Sequence, residues 1–268
     1  MLVAAISVLF VCGAVGMLLS AWIASPPTGP GFWRLTLLLI VTGIGFGVGL
    51  RFVGLTTALP PMGAVSIGLL STAMLALVVF GIGVGTAPEA PRFTLLGLSA
   101  GLAIASLLTD PSLLPADASG IPAVIFVLGR VTLTTAMGSV LLAMVLAHWY
   151  LIQPTMPVEP LNRVLRLFIC TEILQLLLVG TIVTLHWQEW SGAPGGILRA
   201  FVLGDALFVA VRLFLGVLAP LGLGWMTWKT VQMRSLQSAT GILYAAIAFV
   251  LFGEVISLFL SLATGQPF

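Results

Sequence analysis

Charged residues are scarce in this sequence of 268 residues. Asp, Glu, Lys and Arg make up 7% of it, whereas they form about a quarter of an ordinary soluble domain. Ten basic and eight acidic side chains are too few to cover the surface of a soluble protein of this size. The mean hydropathy of +1.22 indicates that most of the surface contacts lipid. The composition therefore excludes a soluble globular protein and predicts a polytopic membrane protein.

Lysine and cysteine are also rare. Lys229 is the single lysine, and the net charge of +2 comes without a basic cluster, which excludes a surface for nucleic acid. Cys12 and Cys170 both lie within apolar runs, where cysteine acts as a small hydrophobic residue. We therefore predict no disulfide, no metal site and no iron–sulfur cluster.

Long apolar runs dominate the sequence. Eight of them are long enough to cross the hydrocarbon core of a bilayer. They cover residues 2–24, 33–55, 63–85, 93–109, 121–152, 164–187, 199–228 and 236–263. The stretches between them are short and rich in proline and glycine. The sequence thus predicts an all-α fold, a bundle of eight transmembrane helices in one domain, residues 1–268.

The distribution of basic residues predicts the orientation of this bundle. With the N-terminus outside, the inner loops and helix ends hold six basic residues and the outer ones hold two. The positive-inside rule then favours both termini outside, in a bacterial-type inner membrane. All seven tryptophans lie at predicted helix ends, as expected for side chains that prefer the membrane interface.

The first half of the chain, residues 1–110, is marked by closely spaced glycines. Two overlapping GxxxG pairs, Gly43 with Gly47 and Gly45 with Gly49, are typical of helices that pack closely within lipid. Apart from Arg34, the second residue of the second predicted span, Arg51 is the only charge inside a predicted span of this half. We interpret residues 1–110 as a functionally inert packing unit, without a convincing sequence repeat in the second half. A broken or unwound helix that lines a site beside Arg51 is the alternative.

The second half, residues 111–268, carries charges at membrane depth. These are Arg130, Glu172, Asp205, Arg212 and Glu254. Each charge at such depth costs at least ~2.5 kcal/mol on insertion scales, so charges there usually pair and mark a site or pathway. Helical spacing and depth predict two layers: Arg130 with Asp205 and Glu254 nearer the outer face, and Arg212 with Glu172 deeper.

The two histidines are predicted at opposite faces of the membrane. His186 lies near the outer end of the sixth span and joins the five buried charges as a candidate quinone or proton site. His148 lies at the inner end of the fifth span. Because two axial ligands of one haem must lie at the same depth, an intrinsic bis-His haem is disfavoured. Quinone is the cofactor that the polar residues of this half favour.

Three functions fit this pattern. The first is a membrane subunit of a respiratory or electron-transfer complex that handles quinone and protons, since quinone chemistry needs a proton-exchanging group, a cation and an apolar slot. In outline, eight helices with both ends outside also resemble the membrane anchors of molybdopterin-type oxidoreductases. The second is a transporter or channel for an anion or a proton-coupled solute, with a hinge near Pro220. The third is a structural or assembly subunit of a larger complex.

The connection between the fifth and sixth spans is the most distinctive loop. His148, Trp149, Tyr150 and Arg163 surround it, and three prolines stiffen it. We expect either a docking surface for another membrane or peripheral subunit, or an ordinary interfacial loop. The sequence shows no motif of an intramembrane hydrolase, and whether the chain is an enzyme stays open.

Overall fold

The computed structural model describes residues 2–24, 28–54, 61–85, 89–110, 120–192 and 205–264. All the regular elements in these ranges are helices. They are α1 (Leu2–Ala24), α2 (Pro30–Gly54), α3 (Pro61–Gly83), α4 (Glu89–Thr109), α5 (Gly120–Ile152), α6 (Glu159–Gly192), α7 (Asp205–Leu213), a π segment (Phe214–Leu218), α8 (Ala219–Gln232) and α9 (Leu236–Thr264).

Eight spans are long and apolar enough to cross a membrane, which confirms the predicted fold class. The seventh span consists of α7, the π segment and α8, and α9 is the eighth. The sixth span begins at Glu159 rather than at residue 164, because Pro160 fits the first helical turn, where its missing N–H has no intrahelical role. α1 begins and α9 ends on the same side of the membrane. We call this side the terminal side.

The first and fifth spans form the centre of the bundle. In the most apolar stretch of these two spans 72% and 61% of the residues are buried. The corresponding fraction in the other six spans is 28% to 44%. The two helices cross at Gly16 and Gly138. A Cβ atom at Gly16 would lie 1.8 Å from the carbonyl oxygen of Thr134, and one at Gly138 would lie 1.8 Å from the carbonyl carbon of Gly16. Only glycine permits this approach of the two backbones.

Both halves of the chain have the same order of helix contacts. In the first half α1 packs on α2, α2 on α3, α3 on α4 and α4 on α1; in the second half α5 packs on α6, α6 on α8, α8 on α9 and α9 on α5. Two contacts between the halves correspond as well, since α1 touches α6 and α5 touches α2, while α1 also touches α9. Residues 14–21 and 136–143 share Ala, Gly, Leu and Ala at equal offsets. The two halves therefore share a helix order that their different polar content conceals.

One of the two glycine registers in α2 forms the predicted close packing. A Cβ atom at Gly43 or Gly47 would lie less than 3.0 Å from a side chain of α1. A Cβ atom at Gly45 or Gly49 would meet nothing within 4 Å. Only the first register therefore brings α2 against α1.

Candidate functional site

The π segment of the seventh span follows from the position of Pro220. A proline has no N–H, so in a regular α-helix the carbonyl of Gly216, four residues earlier, would lack its donor. The helix widens here, and the N–H of Ala219 donates to the carbonyl of Phe214, five residues earlier. The Arg212 Nη1 atom donates to the Gly216 oxygen at 2.6 Å. The guanidinium thus supplies the hydrogen bond that Pro220 removes.

The Arg212 side chain is enclosed on all sides. It is 1% exposed, and its Nη2 atom donates to the Oε1 atom of Gln175 on α6. The π segment also presses closely on α9, since a Cβ atom at Gly216 would lie 2.7 Å from the Cα atom of Gly253. A buried arginine therefore links α6 to the irregular part of the seventh span, beside α9.

Two carboxyl groups lie close to this arginine. Glu172 is 0% and Glu254 is 1% exposed, and both interact electrostatically with Arg212. Neither makes an ion pair with it within 4.0 Å. The predicted layer of Arg212 with Glu172 is therefore not a direct ion pair, since Gln175, one helical turn further along α6, accepts the hydrogen bond from Arg212.

Several polar atoms of this cluster have no hydrogen-bond partner within the described part of the chain. They are both carboxylate oxygens of Glu172, Oε2 of Glu254, Nε2 of Gln175 and one guanidinium nitrogen each of Arg212 (Nε) and Arg130 (Nη1). Buried polar groups are rarely left unsatisfied in native proteins, and each such group calls for a ligand, a water molecule or a chemical role.

Arg130 on α5 is the second arginine that interacts with Glu254. It is 8% exposed, and its guanidinium lies 5.4 Å from the centre of the Phe126 ring. Asp205 and His186 belong to α7 and α6, but their side chains lie outside the described residues. The structure therefore brings together four of the six predicted site residues, and Gln175 joins them.

The first half holds a buried ion pair that the sequence analysis missed. Arg51 pairs with Asp110, and the Arg51 Nε atom donates to the Ser7 Oγ atom at 3.1 Å. Asp110 is 3% exposed, although it lies just beyond the predicted fourth span, residues 93–109. The interpretation of this half as an inert packing unit stays a prediction, with a buried ion pair added to its glycine packing. The available signal was an acidic residue directly after the fourth span, on the same membrane side as Arg51.

The loop between α5 and α6 is held by its own contacts. The Tyr150 hydroxyl is buried and donates to the Pro157 carbonyl, so this side chain is not available to a docking partner. Trp149 packs edge to face on Phe32. Of the four predicted docking residues, only His148 and Arg163 are exposed.

These features define a class, an all-helical membrane protein of eight spans with charged side chains buried between the spans of its second half. Within the described ranges, no three His, Cys, Asp or Glu side chains gather as a metal site requires. Comparisons with known protein families, with curated proteins and with solved structures find no match to this chain.

Proposed function

We propose that this chain is a membrane subunit of a respiratory or electron-transfer complex that handles protons for quinone chemistry at the buried cluster. The cluster consists of Arg130, Glu172, Gln175, Arg212 and Glu254. The observation that carries the proposal is Glu172, which is fully buried and has no hydrogen-bond donor on either carboxylate oxygen within the described residues.

An ionised carboxylate in this position would lose its hydration without receiving donors in return, which costs several kcal/mol or more. A bound proton removes this cost. Arg212 offers the opposite charge that makes a transient ionised form attainable. A carboxyl group held between these two states is suited to accept and release a proton.

The unpartnered donors support quinone as the redox partner. The Nη1 atom of Arg130 and the Nε2 atom of Gln175 are the kinds of group that bind the carbonyl oxygens of a quinone head group. The apolar faces of the surrounding helices suit its tail. The proposal includes a location in a bacterial inner membrane. It also includes an orientation in which the terminal side, with the start of α1 and the end of α9, faces the outside.

Proton-coupled transport of a small anion is the second candidate, and two observations favour it. The two halves share one order of helix contacts, and many transporters consist of structural repeats. The seventh span contains a π segment beside the buried arginine, and π segments occur frequently at functional sites.

Purification and quinone binding separate these candidates. The chain is extracted with a mild detergent and sized on a native gel, and a short-tailed quinone is titrated onto it. The quinone proposal predicts comigration with redox subunits and saturable binding of the quinone. In Arg130→Gln the affinity for the quinone is expected to fall about tenfold, because one hydrogen bond from a charged donor is lost. The matched exposed variant Arg163→Gln is expected to bind normally.

A homo-oligomer without redox subunits that binds no quinone contradicts the quinone proposal. Anion or proton flux in liposomes made from that species would support the second candidate. The absence of both binding and flux would leave a structural subunit.

A further inference from the structure

The last turns of the seventh span hold an exposed group of aromatic and basic side chains. α8 ends at Gln232 and α9 begins at Leu236, on the membrane side opposite the terminal side. The Lys229 ammonium lies 5.3 Å from the centre of the Trp225 ring and 5.0 Å from the centre of the Trp228 ring. The centres of the two rings are 5.1 Å apart. The lysine is thus held beside two aromatic side chains of the kind that prefers the membrane interface.

Arg234 occupies the turn between α8 and α9 in a conformation that favours glycine. Its φ angle is +56°, and no other non-glycine residue in the described part of the chain has a positive φ. The N–H of Arg234 donates to the Val231 carbonyl at 2.9 Å, and the N–H of Ser235 donates to the Thr230 carbonyl at 3.1 Å. Helices often end in this way, usually with glycine at the left-handed position. An arginine there strains the backbone, which indicates a role for its side chain.

These two basic side chains have no acidic partner among the described residues. The sequence contains no Asp or Glu from residue 206 to residue 253. None of the ion pairs within 4.0 Å in the described ranges includes Lys229 or Arg234. Arg163, an exposed arginine on the same membrane side, differs because it pairs with Glu159. The positive charge at the end of the seventh span is therefore available to an anion from outside the chain.

An exposed apolar stripe leads along the seventh span to this charge. Leu218, Gly222, Trp225 and Lys229 are spaced by four, three and four residues, so they share one face of the helix. Leu218 and Trp225 are 36% and 52% exposed, and a Cβ atom at Gly222 would meet nothing within 4 Å. A molecule with an anionic head and an acyl chain fits both features, because its chain can lie along the stripe while its head meets the cations.

We propose that the end of the seventh span binds an anionic phospholipid. Its phosphate lies between Lys229 and Arg234, and its acyl chain lies along Leu218, Gly222 and Trp225. Membrane lipid is the source of the phosphate, because the cations stand at the end of a surface that hydrocarbon covers. In the proposed orientation this lipid belongs to the inner leaflet, where basic residues attract anionic headgroups. The binding requires neither quinone nor proton exchange.

Native mass spectrometry of the whole purified chain measures this binding. Phosphatidylglycerol, which is anionic, and phosphatidylcholine, which is zwitterionic, are titrated separately into the detergent solution, and the lipid-bound species are quantified. We expect the parent protein to bind phosphatidylglycerol in preference. In Lys229→Gln or Arg234→Gln the affinity for phosphatidylglycerol is expected to fall about fivefold, because one cation at the headgroup is lost. The matched exposed variant Arg163→Gln is expected to bind it normally.

A glycine variant separates the charge of Arg234 from the shape of its turn. Glycine adopts a positive φ without strain, so Arg234→Gly in phosphatidylcholine is expected to unfold at a temperature no lower than the parent protein does. It is nevertheless expected to lose about as much affinity for phosphatidylglycerol as Arg234→Gln.

Equal binding of the two lipids by the parent protein would overturn the proposal. So would an unchanged affinity for phosphatidylglycerol in both Lys229→Gln and Arg234→Gln, or an equal loss of affinity in Arg163→Gln. Copurification of an acidic subunit that depends on Lys229 and Arg234, without a preference for phosphatidylglycerol, would assign the surface to a protein partner and would overturn the proposal as well.

Discussion

The two halves of the molecule share a helix order and differ in the depth of their charges. In the first half the buried pair of Arg51 and Asp110 lies at helix ends. In the second half Glu172 and Arg212 lie within spans and are almost fully buried. The comparison shows that packing of the spans does not require charge at mid-membrane depth, because the first half packs in the same order without it.

The direction of the Arg212 side chain sharpens this contrast. Arginines near the end of a span usually extend to the nearer membrane surface. Arg212 lies near the terminal-side end of the seventh span, yet its guanidinium reaches the carbonyl of Gly216, one turn deeper. The second half thus keeps a charge where lipid opposes it most, as a functional cluster would.

Removal of Arg212 is expected to have the largest effect on stability. Arg212→Ala deprives the Gly216 carbonyl and Gln175 of their donor and leaves the buried carboxyl group of Glu172 without its cation. We expect a loss of roughly 3 to 5 kcal/mol, unless a carboxyl group binds a proton. Thermal unfolding of the detergent-solubilised protein measures it. Arg163→Ala, whose exposed pair with Glu159 is worth less than about 1 kcal/mol, is the control, and equal losses would contradict the distinction.

A methyl group at the joint between the halves is expected to have the next largest effect. In Gly138→Ala the new Cβ atom would overlap the backbone of Gly16, which has no flexible side chain to move. We expect a loss of about 3 kcal/mol in the same assay. Gly101→Ala, where the Cβ atom would meet nothing within 4 Å, should be at least as stable as the parent protein because it gains helix propensity, and equal unfolding of both variants would refute the close crossing.

Loss of the ion pair in the first half is expected to have a smaller effect. Asp110→Asn removes the charge that faces Arg51, but Ser7 still accepts a hydrogen bond from that arginine. We expect a loss of about 1.5 to 3 kcal/mol. A double-mutant cycle with Arg51→Gln isolates the pair itself, and strict additivity of the two single losses would show that the residues do not interact.

The two glycine registers of α2 give the smallest expected difference. Gly47→Ala places a Cβ atom 2.6 Å from a methyl group of Val11 and 3.0 Å from the Ser7 carbonyl oxygen, so we expect a loss of about 1 kcal/mol. Gly49→Ala meets open space and gains helix propensity, which stabilises by up to about 1 kcal/mol. Unfolding temperatures that shift in the same direction would contradict the assignment of the register.

The sequence alone was sufficient for the spans, because hydrocarbon forces each crossing segment to be long, apolar and helical. It was also sufficient to find the buried charges, because a charged residue inside an apolar run is conspicuous. It was insufficient for their contacts. Glu172 and Gln175 lie within one turn of each other on α6, and only packing decides that Gln175 receives the hydrogen bond from Arg212.

The shared helix order illustrates the same limit. Contacts between distant spans depend on small residues at crossing points, and Gly16 and Gly138 are two glycines among thirty. The π segment has a local cause, Pro220, and a distant cause, the enclosure of Arg212 between α6 and α9. Pro220 marked the position in the sequence, and the structure showed its consequence.

Proton movement through the second half is tested most directly by flux measurements in sealed liposomes that contain the purified chain, or its complex, and a trapped pH-sensitive dye. Glu172→Gln keeps the shape of the side chain but prevents it from exchanging a proton, and Glu159→Gln makes the same change at an exposed position. Proton exchange at Glu172, which both candidate functions require, predicts flux that is lost in Glu172→Gln and kept in Glu159→Gln, while quinone binding distinguishes the two candidates. Equal flux in the parent protein and in Glu172→Gln would contradict proton exchange at Glu172.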